Sequence, residues 1–211
     1  MSTPSTISLD TELSAVNSIL GSIGQSPINS LSFENPEVSI IHNLLREVNV
    51  DTQNEGWSYN MEKHIKVTPD SNKELTVVNI QTVVGATVLR IDFHDGLVDR
   101  NSDVVIRNGK LYDKVNHTYK FEGDKYVDVV FLVEFNDLPS VFQRYVTMRA
   151  AGRAATQLVA NPQLVQLLGS QEALARAACI EFECDQGDHS FLNIPDETSY
   201  RSFIPSDALR R

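Results

Sequence analysis

Glu12-Leu-Ser-Ala-Val-Asn-Ser-Ile-Leu-Gly-Ser-Ile-Gly-Gln-Ser-Pro27 spells out a helix with its beginning, apolar stripe and end. Leu13, Val16, Leu20 and Ile23 recur at three- and four-residue steps and share one helix face. Asp10 or Thr11 supplies the cap, Glu12 suits the positive helix end, and Gly21, Gly24 and Pro27 mark the stop. A helix this short is marginal alone in water, so its stripe must dock on elements distant in sequence.

The elements that follow supply those partners. Asn35 caps a second helix, Pro36 takes its first position, and Val38, Ile41, Leu45 and Val48 repeat the stripe to about Thr52. From Gly56 the periodicity becomes that of strands, at Trp57-Ser-Tyr59, His64-Ile-Lys-Val67, Thr76-Val-Val78 and Thr87-Val-Leu-Arg-Ile-Asp-Phe93. Leu89, Ile91 and Phe93 are expected inward, Arg90 and Asp92 outward. Asn108-Gly109 between Val104-Val-Ile-Arg107 and Lys110-Leu-Tyr112 predicts a tight hairpin. Turns at Asn116-His117 and Glu122-Gly-Asp124 lead into Tyr126-Val-Asp-Val-Val-Phe-Leu-Val-Glu-Phe135, apolar on both faces and so a central strand.

Helix returns with a cap at Asn136-Asp-Leu-Pro139 and runs to about Val159, presenting Phe142, Tyr145 and Met148 together with a small-residue surface of Ala150, Ala151, Gly152, Ala154 and Ala155. Asn161-Pro162 opens a last helix to about Gln186, whose apolar face is read as Leu164, Leu167, Leu168, Leu174, Ala178 and Phe182. The fold class is therefore α+β: two N-terminal and two C-terminal helices (residues 8–55 and 136–188) enclose an antiparallel β unit (56–135), followed by an extended C-terminal arm (189–211). The arm carries Phe191, Leu192, Ile194, Tyr200, Phe203 and Ile204 among polar residues and prolines. It reads either as a frayed tail or as a segment that orders on a partner subunit.

Composition narrows the function. The 211 residues are 41% hydrophobic and 22% charged, the range of an ordinary globular chain of one large or two small domains. A formal charge of -10 and a pI near 4.9 argue against gripping a nucleic-acid backbone, which takes clustered Lys and Arg. No apolar run approaches the roughly 20 residues that cross a bilayer, and the polar start lacks a signal-peptide core, so synthesis in a cytoplasm is expected. Cys179 and Cys184 are the two cysteines; on one helix their spacing turns them apart, and two free thiols are expected. A zinc site would need two further ligands, which His189 alone does not provide. No metal or cofactor is expected, and Asn116-His-Thr118 is a chance match to a glycosylation pattern.

Catalytic patterns are weak. Asp92, His94 and Asp95 form the best cluster, since Asp92 and His94 fall on one strand face and could share a proton; a solvated strand edge is the competing reading. Glu181, Glu183 and Asp185 offer carboxylates, but spacing along a helix does not create the opposed pair of a glycosidase. No phosphate loop, nucleophile elbow or paired-His zinc motif occurs. His42, His64 and His117 carry no specific signal. Trp57 reads as a core plug where the helical and β units meet.

With these elements in order, residues 12–27 resemble the beginning of the tail tubular protein A family of short-tailed bacteriophages. Gly56-Trp-Ser-Tyr-Asn60 is similar to the Gly-Trp-aromatic-Asn stretch after helix 2 there. Leu138-Pro-Ser-Val-Phe-Gln-Arg-Tyr-Val-Thr147 and Glu181-Phe-Glu-Cys-Asp185 extend the resemblance, while the β middle is only loosely similar. The resemblance implies a head-to-tail adaptor, or gatekeeper: a four-helix adaptor bundle with a projecting β unit, assembled as a dodecameric ring in the virion tail between the portal and the nozzle (tail tubular protein B), with tail fibres nearby. DNA would pass through without sequence-specific binding, and an acidic protomer suits such a channel. Phe191, Tyr200, Phe203, Ile204, Arg210 and Arg211 are the candidate contacts to neighbouring subunits or the portal. The alternative is a tail-associated enzyme degrading host surface polysaccharide, with Asp92, His94 and the acidic last helix as its first candidates; a generic binding module with a β ligand face is a third reading.

Overall fold

The computed structural model describes residues 11–32, 35–94 and 103–186. Helix α1 spans Glu12–Ser22 and begins where the sequence places it, with Thr11 Oγ1 accepting the Ser14 N–H at 3.3 Å; Asp10 lies outside the described residues. Its buried side is Ala15, Val16, Ile19 and Leu20, so the inward stripe is turned slightly from the expected one and Leu13 and Ile23 are half-buried. Helix α2, Pro36–Gln53, is capped by Asn35, which accepts the Glu37 N–H.

Three strands form the main sheet: β1 (Met61–Val67), β2 (Thr87–Phe93) and β5 (Lys125–Leu132), in the order β1-β5-β2, with β5 antiparallel to both neighbours. The doubly apolar strand is thus central, as its sequence indicates. It ends at Leu132, so Phe135 instead enters a 3-10 turn at Phe135–Asp137 and packs in the helical core. Strands β3 (Val104–Arg107) and β4 (Lys110–Asp113) form the expected hairpin. Asn108 and Gly109 take φ values of 53° and 71°, the left-handed pair that a type I′ turn requires.

Three sequence expectations need correction in this region. Thr76-Val-Val78 is not a strand: Val77–Val84 is helix α3. The Thr76 side chain accepts the Asn79 N–H and Gly85 closes the helix in the left-handed region, so two good end signals outweigh the strand preference of β-branched residues. Trp57-Ser-Tyr59 leads into a 3-10 turn at Ser58–Asn60. On β2 the register slips between Val88 and Arg90; Val88, Ile91 and Phe93 are buried while Leu89 is not, because a bulge breaks the period of two.

Helix α4 spans Ser140–Ala154, continues as a π-helical turn through Val159 and reverses at Ala160, in the left-handed region, into α5, Pro162–Gln186. The expected cap for α4, Asn136, serves another helix: its Oδ1 accepts the Glu12 N–H of α1 at 3.1 Å, because the 3-10 turn separates it from Ser140. The small-residue surface of α4 is also used internally, since Ala150, Ala151, Ala154 and Ala155 are buried in the core shared by α1, α2, α4 and α5. On α5, Leu168, Ala175 and Cys179 point in, whereas Leu167 and Leu174 are 64% and 73% exposed. The described residues therefore form two cores, one among α1, α2, α4 and α5 and one under the sheet, the latter including Leu75, Ile80, Leu111, Phe121 and Val127.

Candidate functional site

The two cores meet at a joint held by buried side-chain amides. Gln53, the last residue of α2, is fully buried. Its Nε2 donates to the Val133 carbonyl at 2.8 Å and its Oε1 accepts the Val133 N–H at 2.8 Å, so one side chain continues the hydrogen bonding of β5 where the ladder stops. Asn60, also fully buried, donates to the carbonyls of Gln53 and Phe131, both at 3.0 Å, and accepts the Trp57 N–H at 2.8 Å. Gln143 on α4 donates to the Phe135 and Asn136 carbonyls. Three amide side chains thus bond to main-chain groups around the joint, and Gln53 serves both the N–H and the carbonyl of Val133.

The Gly56-to-Asn60 stretch supplies the rest of the joint. Gly56 has φ +79°, and a Cβ there would lie 2.8 Å from Arg90 Nη2 and 3.3 Å from Val130 Cγ2. Trp57 plugs the helical core, as expected: it meets Phe142 edge-on at 4.9 Å between ring centroids, and its Nε1–H donates to the Thr52 carbonyl at 2.8 Å. Beyond it, the Glu183 carboxylate accepts from the Ser58 N–H and hydroxyl, which ties α5 to the 3-10 turn.

An arginine network extends the joint across the helices. Arg176 of α5 binds the Glu55 carboxylate through both terminal nitrogens, at 3.1 and 2.9 Å, and donates to the Tyr145 hydroxyl at 2.8 Å. These hydrogen bonds, Glu55 foremost, push the Arg176 guanidinium further toward its charged form. Arg149 approaches the same Glu55 at 3.7 Å and Glu172 at 3.9 Å. Burial raises the Tyr59 phenol well above its usual range and pushes the Cys179 thiol up to about 11. Cys179 donates to the Val141 carbonyl, and both cysteines are free.

The catalytic candidates are not brought together. His94 Nδ1 lies 2.7 Å from Oδ1 of Asp128 on β5, not from Asp92, whose carboxylate accepts the Phe93 N–H beside it. Asp128 Oδ1 also accepts the backbone N–H of His64, a residue in the left-handed region at the β1 bulge. The His64 ring stacks on Tyr126 and meets His94 edge-on. This cluster of a histidine pair over a shared carboxylate fixes a bulge. Asp95 lies outside the described residues, Glu183 is engaged with Ser58, and Glu181 and Asp185 are exposed on α5. No group of three His, Cys, Asp or Glu side chains among the described residues is arranged to hold a metal ion. No described helix is long and apolar enough to cross a membrane. The arm residues Phe191, Tyr200, Phe203, Ile204, Arg210 and Arg211 lie outside the described residues.

Sequence reasoning missed Gln53 and Gln143, since a polar residue on a helix gives no pattern that marks it as buried. Asn60 was visible only as part of its motif.

Backbone-directed amides thus join the two cores, and carboxylate–guanidinium pairs join the helices. The chain belongs to the tail tubular protein family, whose family model matches residues 13–189, and it is accordingly a structural component of a phage tail. Comparison with curated proteins gives no match.

Proposed function

We propose that this protein is a head-to-tail adaptor, assembling as a dodecameric ring between the portal and the nozzle so that DNA passes through its channel. The supporting observation is the joint. A closed ring places every protomer in an equivalent environment, and Gln53 and Asn60 hold the helical and sheet parts together through hydrogen bonds to the main chain of Val133 and Phe131. Family membership supports the tail location, and the formal charge of -10 suits a wall that repels the phosphate backbone. In this reading residues 8–55 and 136–188 form the ring-building helical unit and 56–135 project from it. The arm, 189–211, contacts a neighbouring subunit or the portal through Phe191, Tyr200, Phe203, Ile204, Arg210 and Arg211. Synthesis takes place in the host bacterial cytoplasm before incorporation into the virion, with the nozzle and tail fibres as further partners.

Negative-stain imaging and mass photometry of the protein, alone and mixed with portal, test this. Rings are the expected result, and a persistent monomer that ignores portal overturns the proposal. Deletion after Asn193 is expected to leave a folded protein that assembles poorly; unimpaired ring and portal binding would remove the arm from the mechanism.

A further inference from the structure

Leu167 and Leu174 stand seven residues apart on α5 and so share one line along it. They are 64% and 73% exposed, and the line runs on between Ala178 and Glu181, both exposed. Helix α5 packs on α4, whose other sides carry α1 and α2. A second open surface lies beyond them, a cleft of about 1020 Å³ between α2 and α3. Arg46 and Val50 of α2 form one wall, Val78 and Thr82 of α3 the other, with Val133 and Phe135 between them. Val78 is 67% exposed, although Ile80 of the same short helix is fully buried in the sheet core.

We infer that the Leu167–Leu174 line of one protomer seats in the α2/α3 cleft of the next, so that one contact repeats around the ring. This rests on the ring reading proposed above and names the surfaces that build it. Three observations select a second copy of this chain as the occupant. The two surfaces are unlike and lie on different sides of α4, so a contact between copies is heterologous, the kind that forms a ring when its rotation closes. Their lengths agree: Leu167 to Leu174 is about 11 Å of helix, and the α2 wall from His42 to Val50 about 12 Å. Their charges also agree. Arg46, Glu134 and Asp137 of the cleft are exposed and have no ion-pair partner among the described residues. Facing them would be Glu181 and, on the same flank of the α4–α5 pair, Arg144, both likewise exposed and unpaired among the described residues. Each sign on one surface thus meets its opposite on the other, around an apolar ridge in a groove.

Cross-linking of the assembled full-length protein provides the test. Cys184, the exposed thiol, is first removed by Cys184→Ser, while Cys179 is buried. Leu174→Cys and Val78→Cys, both at exposed positions, are then introduced separately or together. The variants are assembled alone or mixed, with portal added where rings require it, and treated with a short bismaleimide. Neither single variant should cross-link alone, their mixture should give covalent dimers, and the doubly substituted chain should give a ladder that reaches the full ring. Leu167→Glu with Leu174→Glu should lower ring formation by about tenfold or more without moving the thermal midpoint. Wild-type rings combined with no cross-link in the mixture, or rings unimpaired by the glutamate pair, would overturn this interface and leave the ring reading standing. Cross-linking by Leu174→Cys alone would mean that α5 meets α5, which also overturns it. Absence of wild-type rings, with and without portal, would remove both the interface and the ring.

Discussion

The helical unit and the sheet unit are held together by different chemistry. Among the helices, charge is carried by arginine: Arg153 binds Asp51 at 2.7 Å, and Arg176 and Arg149 converge on Glu55, joining the end of α2 to the two C-terminal helices. Around the sheet it is carried by lysine, in pairs such as Lys66–Asp124, Lys73–Glu122 and Lys114–Asp103. A guanidinium presents a rigid fork that can serve a carboxylate and a hydroxyl at once, whereas an ammonium on a flexible stem makes a screened surface contact. The helical unit is therefore cross-braced. The sheet unit depends on its small core, its turns and the joint.

The largest effect is expected at the joint itself. Gln53→Ala removes the partner of the Val133 N–H and leaves its carbonyl only the long 3.5 Å contact from Asn49 Nδ2, and should cost about 2–3 kcal/mol. If the joint couples the two units, urea denaturation followed by Trp57 fluorescence and by far-UV circular dichroism should also change from one transition to two separated ones. Coincident transitions in the variant would show that the units are coupled by some other contact.

The next effect belongs to the sheet unit. Asp113 is buried and accepts from the Val115 and Asn116 N–H groups and from the Asn116 side chain. Burial alone would raise its pKa, but these hydrogen bonds outweigh it and hold the carboxyl below its usual value. A depressed pKa stabilises the fold above the unfolded-state value near 3.9 and loses that contribution as pH falls through the folded-state value. Asp113→Asn should thus cost about 1–2 kcal/mol at neutral pH, with the difference from wild type shrinking below about pH 4. A difference independent of pH would attribute the loss to geometry rather than charge.

In the helical unit, Glu55→Gln removes the carboxylate shared by Arg176 and Arg149. Because these groups are partly solvent-exposed, screening limits the expected loss to about 1 kcal/mol. Most of it should survive high salt, since the Tyr145 hydroxyl and the packing of α5 on α4 keep the arginines in place; loss of the whole effect in salt would make this network no different from the lysine pairs. At the lower end, Lys66→Ala should produce no shift in thermal midpoint that differential scanning fluorimetry can resolve. A clear shift would erase the contrast between the two units.

Much of this fold is legible in the sequence where a local rule acts alone. Thr11, Asn35 and Pro36 mark helix starts because capping needs only neighbouring residues. Asn108-Gly109 fixes its hairpin because the turn geometry demands those residue types. The readings that fail depend on distant partners. Val77 and Val78 join a helix because its ends and the Ile80 contact with the sheet core decide. Leu167 and Leu174 face outward because α4 lies on the Leu168 side of α5, and periodicity cannot distinguish two apolar stripes on one helix. His94 pairs with Asp128, across the sheet, rather than with Asp92, two residues away along its strand. The clamp at Gln53 was invisible for the same reason, its partner being 80 residues away.

That separation sets an order in time. Helices α1 and α2 are synthesised first, yet Val133, Asn136 and the whole of α4 and α5, which complete their core, come only after the sheet unit. At about 5–20 residues per second, the interval from Gln53 to Val133 lasts roughly 4–16 seconds, during which the two short helices keep an apolar stripe without its final cover. The sheet unit, whose residues are contiguous, can close only at the end of that interval, when its central strand β5 has been made. The helical unit closes last, around a joint that cannot form until β5 has been made.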